Sequence, residues 1–219
     1  MGIEMMALLM ASQAATIAIP PATTCRFDAW PSYRLTRSLA VRSRPTPRAP
    51  VVGMLPVGGG YPYSVLFNVR GTRAGFVRID GASDAYNEDA ADEGGRPLPR
   101  RTVYSGAGWV AADAVTVRFQ SGRGRARPDP GAPLVIDLGS DWLTDMGRVD
   151  AIRGCSGEWV LVDYTIERRR DANDRIIDIA APERLTGRAW FRGLCAVEET
   201  TCDMRSVDDD APAAAPPGR

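Results

Sequence analysis

The chain contains no histidine and no lysine, so all 27 of its basic residues are arginine. A histidine general base, a histidine-ligated metal, a Schiff-base lysine and a phosphate-loop lysine are therefore excluded. Charge of one sign is not in excess, because 27 acids balance the 27 arginines. Such a chain exerts no long-range pull on nucleic acid or an anionic membrane. Aromatics make up only 7% of the residues, so each one bears on where a core or a contact surface can form. Cysteine is scarce, with four residues and no Cys-x-x-Cys pair. Without histidine, zinc would need all four thiolates or help from carboxylates, so no metal site and no cofactor are expected.

Long hydrophobic runs are also missing. Met5–Ile19 comes nearest, but Ser12, Gln13 and Thr16 interrupt it, and it is too short for a confident membrane span. Small residues at Ser12 and Ala14 suit a secretory cleavage site, so residues 1–24 read as a signal peptide. Glu4 and the lack of an N-terminal arginine fit that pattern poorly. A short cytosolic helix or a membrane anchor are the competing readings. An even cysteine count behind an export-like start favours disulfides. Spacing alone does not choose the pairing. Cys155, Cys195 and Cys202 crowd the second half of the chain and are expected to include one bridge, with Cys25 free or taking the leftover thiol.

What is present is a repeated β pattern. Gly75-Phe76-Val77-Arg78-Ile79 leads to Gly108-Trp109-Val110, and Glu158-Trp159-Val160-Leu161-Val162 leads to Gly187-Arg188-Ala189-Trp190-Phe191. The spans from Phe76 to Trp109 and from Trp159 to Trp190 are nearly equal. Self-similarity at a fixed spacing is the mark of repeated units. Alternation from Tyr61 to Val69 has strand period. Gly58-Gly59-Gly60 is followed by no helix pattern and no lysine, so it reads as a turn rather than a phosphate loop. Each block also carries a charged stretch without strand signal, Asp80–Arg101 and Glu167–Arg184. The first reads as a long solvated hairpin loop, the second as a solvated loop or short helix. Residues 119–132 are rich in Gly, Arg and Pro and read as a linker. That basic run lacks interleaved aromatics and sits in a neutral chain, so no nucleic-acid partner is expected. Residues 204–219 have the composition of a disordered tail.

The first block resembles the bacterial Src-homology-3 (SH3-like) family. The resemblance rests on Leu39-Ala40-Val41-Arg42-Ser43-Arg44-Pro45, Val51-Val52-Gly53-Met54-Leu55-Pro56-Val57-Gly58, Phe76-Val77-Arg78-Ile79 and Gly108-Trp109-Val110. The family's usual tryptophan is replaced by Phe76, and the stretch before Gly108 is long. The second block looks like a divergent copy that keeps the strand at Trp159 and the closing Trp190 but shows no Val-Arg-x-x-Pro opening before Leu134. Leu194-Cys195 and Thr200-Thr201-Cys202 are similar to the endings of exported bacterial proteins. The fold expected is all-β: two small SH3-like barrels in tandem, at 33–118 and 133–203, with long charged hairpin insertions.

The resemblance implies binding rather than catalysis, in the periplasm or outside the cell, with peptidoglycan or an envelope protein as partner. A structural subunit of an envelope complex with no small ligand is the alternative. Acid pairs could still hydrolyse glycosides without histidine, but the carboxylates here cluster in the insertions. Binding would fall to aromatics near the loops, because rings give large contact area at low entropy cost. The expected ligand-binding residues are Tyr61, Tyr63, Tyr104, Trp142 and Tyr164. Phe76, Trp109 and Trp159 are expected in the core.

Overall fold

The structure is a computed structural model that describes residues 17–58, 60–87, 91–96, 98–195 and 206–208. It is all-β. The first half contains β1 (Ala22–Pro31), β2 (Leu39–Arg42), β3 (Val51–Leu55), β4 (Val65–Arg73), β5 (Phe76–Asp84), β6 (Arg101–Ala111) and β7 (Val115–Thr116). The second contains β8 (Arg123–Arg125), β9 (Leu134–Asp137), β10 (Gly147–Ser156), β11 (Trp159–Ile166), β12 (Arg168–Arg170), β13 (Ile176–Asp178) and β14 (Leu185–Phe191). A single helical turn, α1 (Leu143–Met146), enters β10.

The two main sheets share a strand order. The first runs β3-β2-β6-β5-β4-β1-β7 and the second β10-β11-β14-β8-β9. Read from the short hairpin inward, β3-β2-β6-β5-β4 and β9-β8-β14-β11-β10 are the same antiparallel arrangement. Registers agree too: Arg42 lies opposite Trp109, and Arg125 lies opposite Trp190. β1 and β7 are additions to the first sheet.

This alignment corrects the linker assignment of 119–132. Phe119 and Ser121 are completely buried, and β8 pairs with both β14 and β9. Each residue type that suggested a linker has a structural use. A Cβ at Gly124 would lie 2.6 Å from Ala189 Cβ and 2.7 Å from Phe191 Cζ, so only glycine lets the strands close. Arg125 donates to the Ala132 carbonyl (2.7 Å) as Arg42 donates to that of Ala49 (2.9 Å). The prolines shape matching turns, with Ser43 N to Pro50 O and Ala126 N to Pro133 O both at 3.0 Å. Further upstream, Arg125-Ala126-Arg127-Pro128-Asp129-Pro130 parallels Arg42-Ser43-Arg44-Pro45-Thr46-Pro47, with Gly124 where the first half has Val41.

One continuous core joins the halves, with Phe67, Val69 and Ile79 of the first and Ile152, Val162 and Phe191 of the second in a single cluster. Phe119 lies between them, its ring centroid 5.4 Å from that of Phe191. A smaller cluster of Trp159, Leu161 and Trp190 is covered by Ile17. Trp159 is buried as expected, whereas Phe76 and Trp109 are only half-buried. Residues 17–24, placed in the signal peptide by sequence, belong to the fold: Ala22–Thr24 pair with Gly71–Arg73, and Arg188 donates to Ile17 O (3.3 Å). Residues 1–16 lie outside the described residues. Among those described, no helix is long and apolar enough to cross a membrane.

Cys25 and Cys155 form a disulfide between the halves, with Cα atoms 5.4 Å apart. Cys155 therefore does not pair with Cys195 or Cys202. β10 runs against β1, which brings Cys155 to Cys25, and Thr23 Oγ1 accepts Cys155 N–H (3.0 Å) beside the bridge. Cys195 is also disulfide-bonded, and Cys202 lies outside the described residues. The second charged insertion is not a helix: β12 and β13 form a two-stranded hairpin. Its tip repeats that of the first insertion. Asp92 Oδ1 accepts the amides of Gly94 and Arg96, and Asp171 Oδ1 accepts those of Asn173 and Arg175. Of the predicted tail, Ser206–Asp208 is seated on the second half, and the other residues of 204–219 lie outside the described residues.

Candidate functional site

β5 and β6 diverge at the base of the first insertion, where Asp84 faces Arg101 across the sheet. Asp84 is fully buried. A buried carboxylate is costly unless paired and hydrogen-bonded, and here both conditions are met. Arg101 donates from Nη2 (2.6 Å) and Nε (3.2 Å), Tyr86 donates its amide (3.1 Å), and the Tyr61 hydroxyl donates as well. Burial opposes ionisation of Asp84, but the donors from Arg101, Tyr61 and Tyr86 outweigh it and hold the carboxyl below its ordinary value. The Tyr61 hydroxyl is pushed up, first by burial and then by its bond to Asp84. The bond to Asp84 likewise holds the Arg101 proton more tightly than in a free arginine.

Above this anchor stand three tyrosines. Tyr63 meets Tyr61 edge-on at 5.6 Å and Tyr86 edge-on at 5.1 Å. The Arg101 guanidinium carbon lies 4.2 Å from the Tyr86 ring centroid and 5.5 Å from that of Tyr63. Tyr86 remains 53% exposed. The result is a solvent-facing surface of tyrosine and arginine whose geometry is fixed from beneath by Asp84. Such a surface can stack on apolar or planar groups, and the hydroxyls supply polar contacts. Arg100 braces its rim through Ser64 O (2.9 Å) and Ser83 Oγ (3.3 Å).

The structure thus brings Tyr61 and Tyr63 together, and it adds Tyr86, Arg101 and Asp84. Sequence reading passed over these because they stand in or beside a charged stretch without strand pattern. The signal was the cross-strand acid–arginine pair flanked by Tyr86. The other expected ligand residues lie elsewhere. Tyr104 is half-buried, its ring fills the space left by Gly53 and Gly106, and its hydroxyl donates to Ala107 O (3.2 Å). Tyr164 is core, only 2% exposed and edge-on to Phe191 at 5.8 Å, so it offers no ligand surface. The sequence placed it on a strand, and β11 is buried on both faces. Trp142 precedes α1, where its carbonyl takes the amides of Asp145 and Met146 (both 3.1 Å).

The equivalent place in the second half carries Glu167 and Arg184, just beyond the Ile166–Leu185 pair. Glu167 accepts from Arg184 (3.0 Å) and from Arg148, and Arg148 also reaches Asp150 (2.8 Å). No tyrosine cluster surmounts it. Instead a cleft of about 370 Å³ opens between the halves, walled by Trp30 and Tyr33 on one side and Asp145, Arg148, Glu167 and Arg168 on the other. A second cleft, about 530 Å³ and more open, lies beside Tyr61 between Thr36–Ser38 on one side and Pro56–Gly58 with Gly60–Pro62 on the other. Scans of the chain against protein-family models, curated proteins and solved structures each returned no match.

Proposed function

We propose that the protein is a non-catalytic binding module of the bacterial envelope, built of two SH3-like units, that recognises cell-wall peptide or an envelope protein. The observation that carries this reading is the Tyr63–Tyr86–Arg101 surface. Tyr86 and Arg101 are exposed and Tyr63 is half-buried, and buried Asp84 fixes Arg101 and Tyr61 from below. Rigid aromatic and arginine side chains near loop ends are the usual anchors of recognition surfaces. The shared strand order of the two sheets supports the tandem reading. The Cys25–Cys155 disulfide is compatible with an oxidising, extracytoplasmic compartment.

Co-sedimentation with isolated peptidoglycan sacculi tests the proposal, using the chain from Ala15 so that Ile17 and β1 are retained. Saturable binding by the wild type and its loss in Tyr63→Ala/Tyr86→Ala is the expected result. Binding that survives in this variant would remove the surface from consideration. A second reading, an interaction subunit without a small ligand, is favoured by the outer strands: Val51, Val52 and Met54 on β3 and Leu134 and Val135 on β9 are each 45–50% exposed. Exposed apolar edge strands are templates for pairing with another chain. Absence of binding to sacculi, together with recovery of a stoichiometric envelope protein on the immobilised chain, would favour that reading.

A further inference from the structure

The two halves differ in what covers the residues leading into their first common strand. Matching Arg42 with Arg125, and Leu39–Leu55 with the Leu138 N to Gly122 O bond, places Thr36–Ser38 in register with Phe119–Ser121. In the second half this stretch is occupied. Ser206 Oγ donates to Gln120 O (3.1 Å), Val207 N donates to the same carbonyl (3.3 Å), and Arg192 donates to Val207 O (2.7 Å). Asp208 is 8% exposed, and its Oδ2 accepts from Ser121 Oγ (2.8 Å) and Gly122 N (3.1 Å). Arg123 Nη1 adds a bond to Asp208 O (3.4 Å). A turned Ser-Val-Asp segment is thereby held through its backbone, the Ser206 hydroxyl and one carboxylate.

In the first half Gly58 packs against the Thr36–Arg37 backbone, and the side chains of the same stretch are open to solvent. Thr36, Arg37 and Ser38 are exposed and line the 530 Å³ cleft beside Tyr61. No hydrogen bond or ion pair engages any of the three among the described residues. Ser38 stands where Ser121 binds the carboxylate, and Arg37 replaces Gln120, adding a positive charge. An exposed arginine and serine lining a cleft suit an anionic chain.

We propose that the cleft at Thr36–Ser38 is a docking site for a short acidic peptide segment of a partner protein, held as Ser206–Asp208 is held on the second half. The idea narrows the binding reading to one ligand class, and it uses residues apart from Tyr63 and Tyr86. Failure with sacculi therefore leaves it standing, and its own failure leaves the tyrosine surface standing.

The test is fluorescence anisotropy of a labelled peptide with the sequence of residues 204–212, titrated with the chain from Ala15. Saturable binding at one site per chain is expected. Arg37→Glu should weaken it roughly tenfold or more, as should replacing the three aspartates of the peptide with asparagine. Arg37 is exposed and makes no contact the fold needs, and an unchanged melting curve checks this. No binding up to about 1 mM peptide would overturn the proposal. So would binding indifferent to Arg37→Glu, which would mean that the peptide displaces the chain's own segment from Ser121.

Discussion

The two halves have the same strand order but place different side chains at corresponding points. At the base of its insertion, the first half buries Asp84 beneath Arg101 and surmounts the pair with Tyr61, Tyr63 and Tyr86. The second half puts Glu167 between Arg148 and Arg184 and leaves a cleft against Trp30 and Tyr33. The acid–arginine clasp is common to both because each insertion must leave the sheet at a defined point. Only the first half adds exposed rings above the clasp. The shared part maintains the architecture, and the unshared part is where recognition can differ.

The largest expected effect concerns whether the halves are separable at all. Removing the disulfide with Cys25→Ser/Cys155→Ser should cost about 2–5 kcal/mol, since the bridge closes a long loop. Because Phe119 and Ile152 share one core with Phe67 and Val69, urea unfolding of this variant should remain a single transition at lower midpoint. Two resolved transitions would show the halves to be independent domains joined chiefly by the bridge.

The second effect sharpens the comparison inside the cores. In the first half Val41 faces Gly108, whose Cβ would lie 2.4 Å from Val41 Cγ1. In the second half the volumes are exchanged, and Gly124 faces Ala189. Gly124→Val should therefore cost about 3 kcal/mol through overpacking. Adding Ala189→Gly, which rebuilds the first half's arrangement, should recover part of that, with a coupling on the order of 1 kcal/mol in a double-mutant cycle. Additive costs would mean that the two sites do not exchange volume.

The same exchange explains what could and could not be read from sequence. The β class, the closing tryptophans at Trp109 and Trp190 and the first insertion's hairpin were legible, because strand periodicity and the repeated aromatic spacing are local signals. The first strands of the second half were not. With valine at 41 the strand looks like a strand; with glycine at 124, packed against Ala189 and Phe191, the same position looks like a flexible linker. For Tyr164 the strand was legible but not the burial, because an apolar run marks a strand without saying that both its faces are covered. The Tyr61–Asp84–Arg101 network joins residues far apart in the chain, and only the register of β5 on β6 brings them together. Cys25 pairs with Cys155 because β10 lies against β1, a tertiary fact with no local signature.

A smaller effect follows from Asp84. Its carboxyl is held below the ordinary value by Arg101, Tyr61 and Tyr86 against the cost of burial. A group with a depressed folded-state pKa contributes stability that is complete above its unfolded value, about 3.9, and is lost as pH falls through the folded value. The wild type should therefore lose stability steeply below about pH 4. Asp84→Asn should be less stable at neutral pH and flatter in that acid range, and binding of sacculi through Tyr86 should weaken as Arg101 loses its anchor. If the acid limb is unchanged in the variant, the clasp contributes nothing that titrates, and the rigidity argued for the tyrosine surface fails.

The least effect is expected at the insertion tips, where the halves are most alike. Asp92 and Asp171 each bind two amides of their own turn and the arginine four residues on, with Arg96 Nε at 3.0 Å and Arg175 Nη2 at 2.7 Å. Local carboxylate–amide bonds of this kind fix a turn without touching the core, and exposed ion pairs add little to global stability. Asp92→Ala and Asp171→Ala should leave the unfolding midpoint nearly unmoved. Each should raise amide exchange only within its own tip, at Gly94 and Arg96 or at Asn173 and Arg175. A fall in the midpoint for one variant and not the other would show that one insertion packs back on the body of the protein, and the likeness of the two tips would then be local geometry without common role.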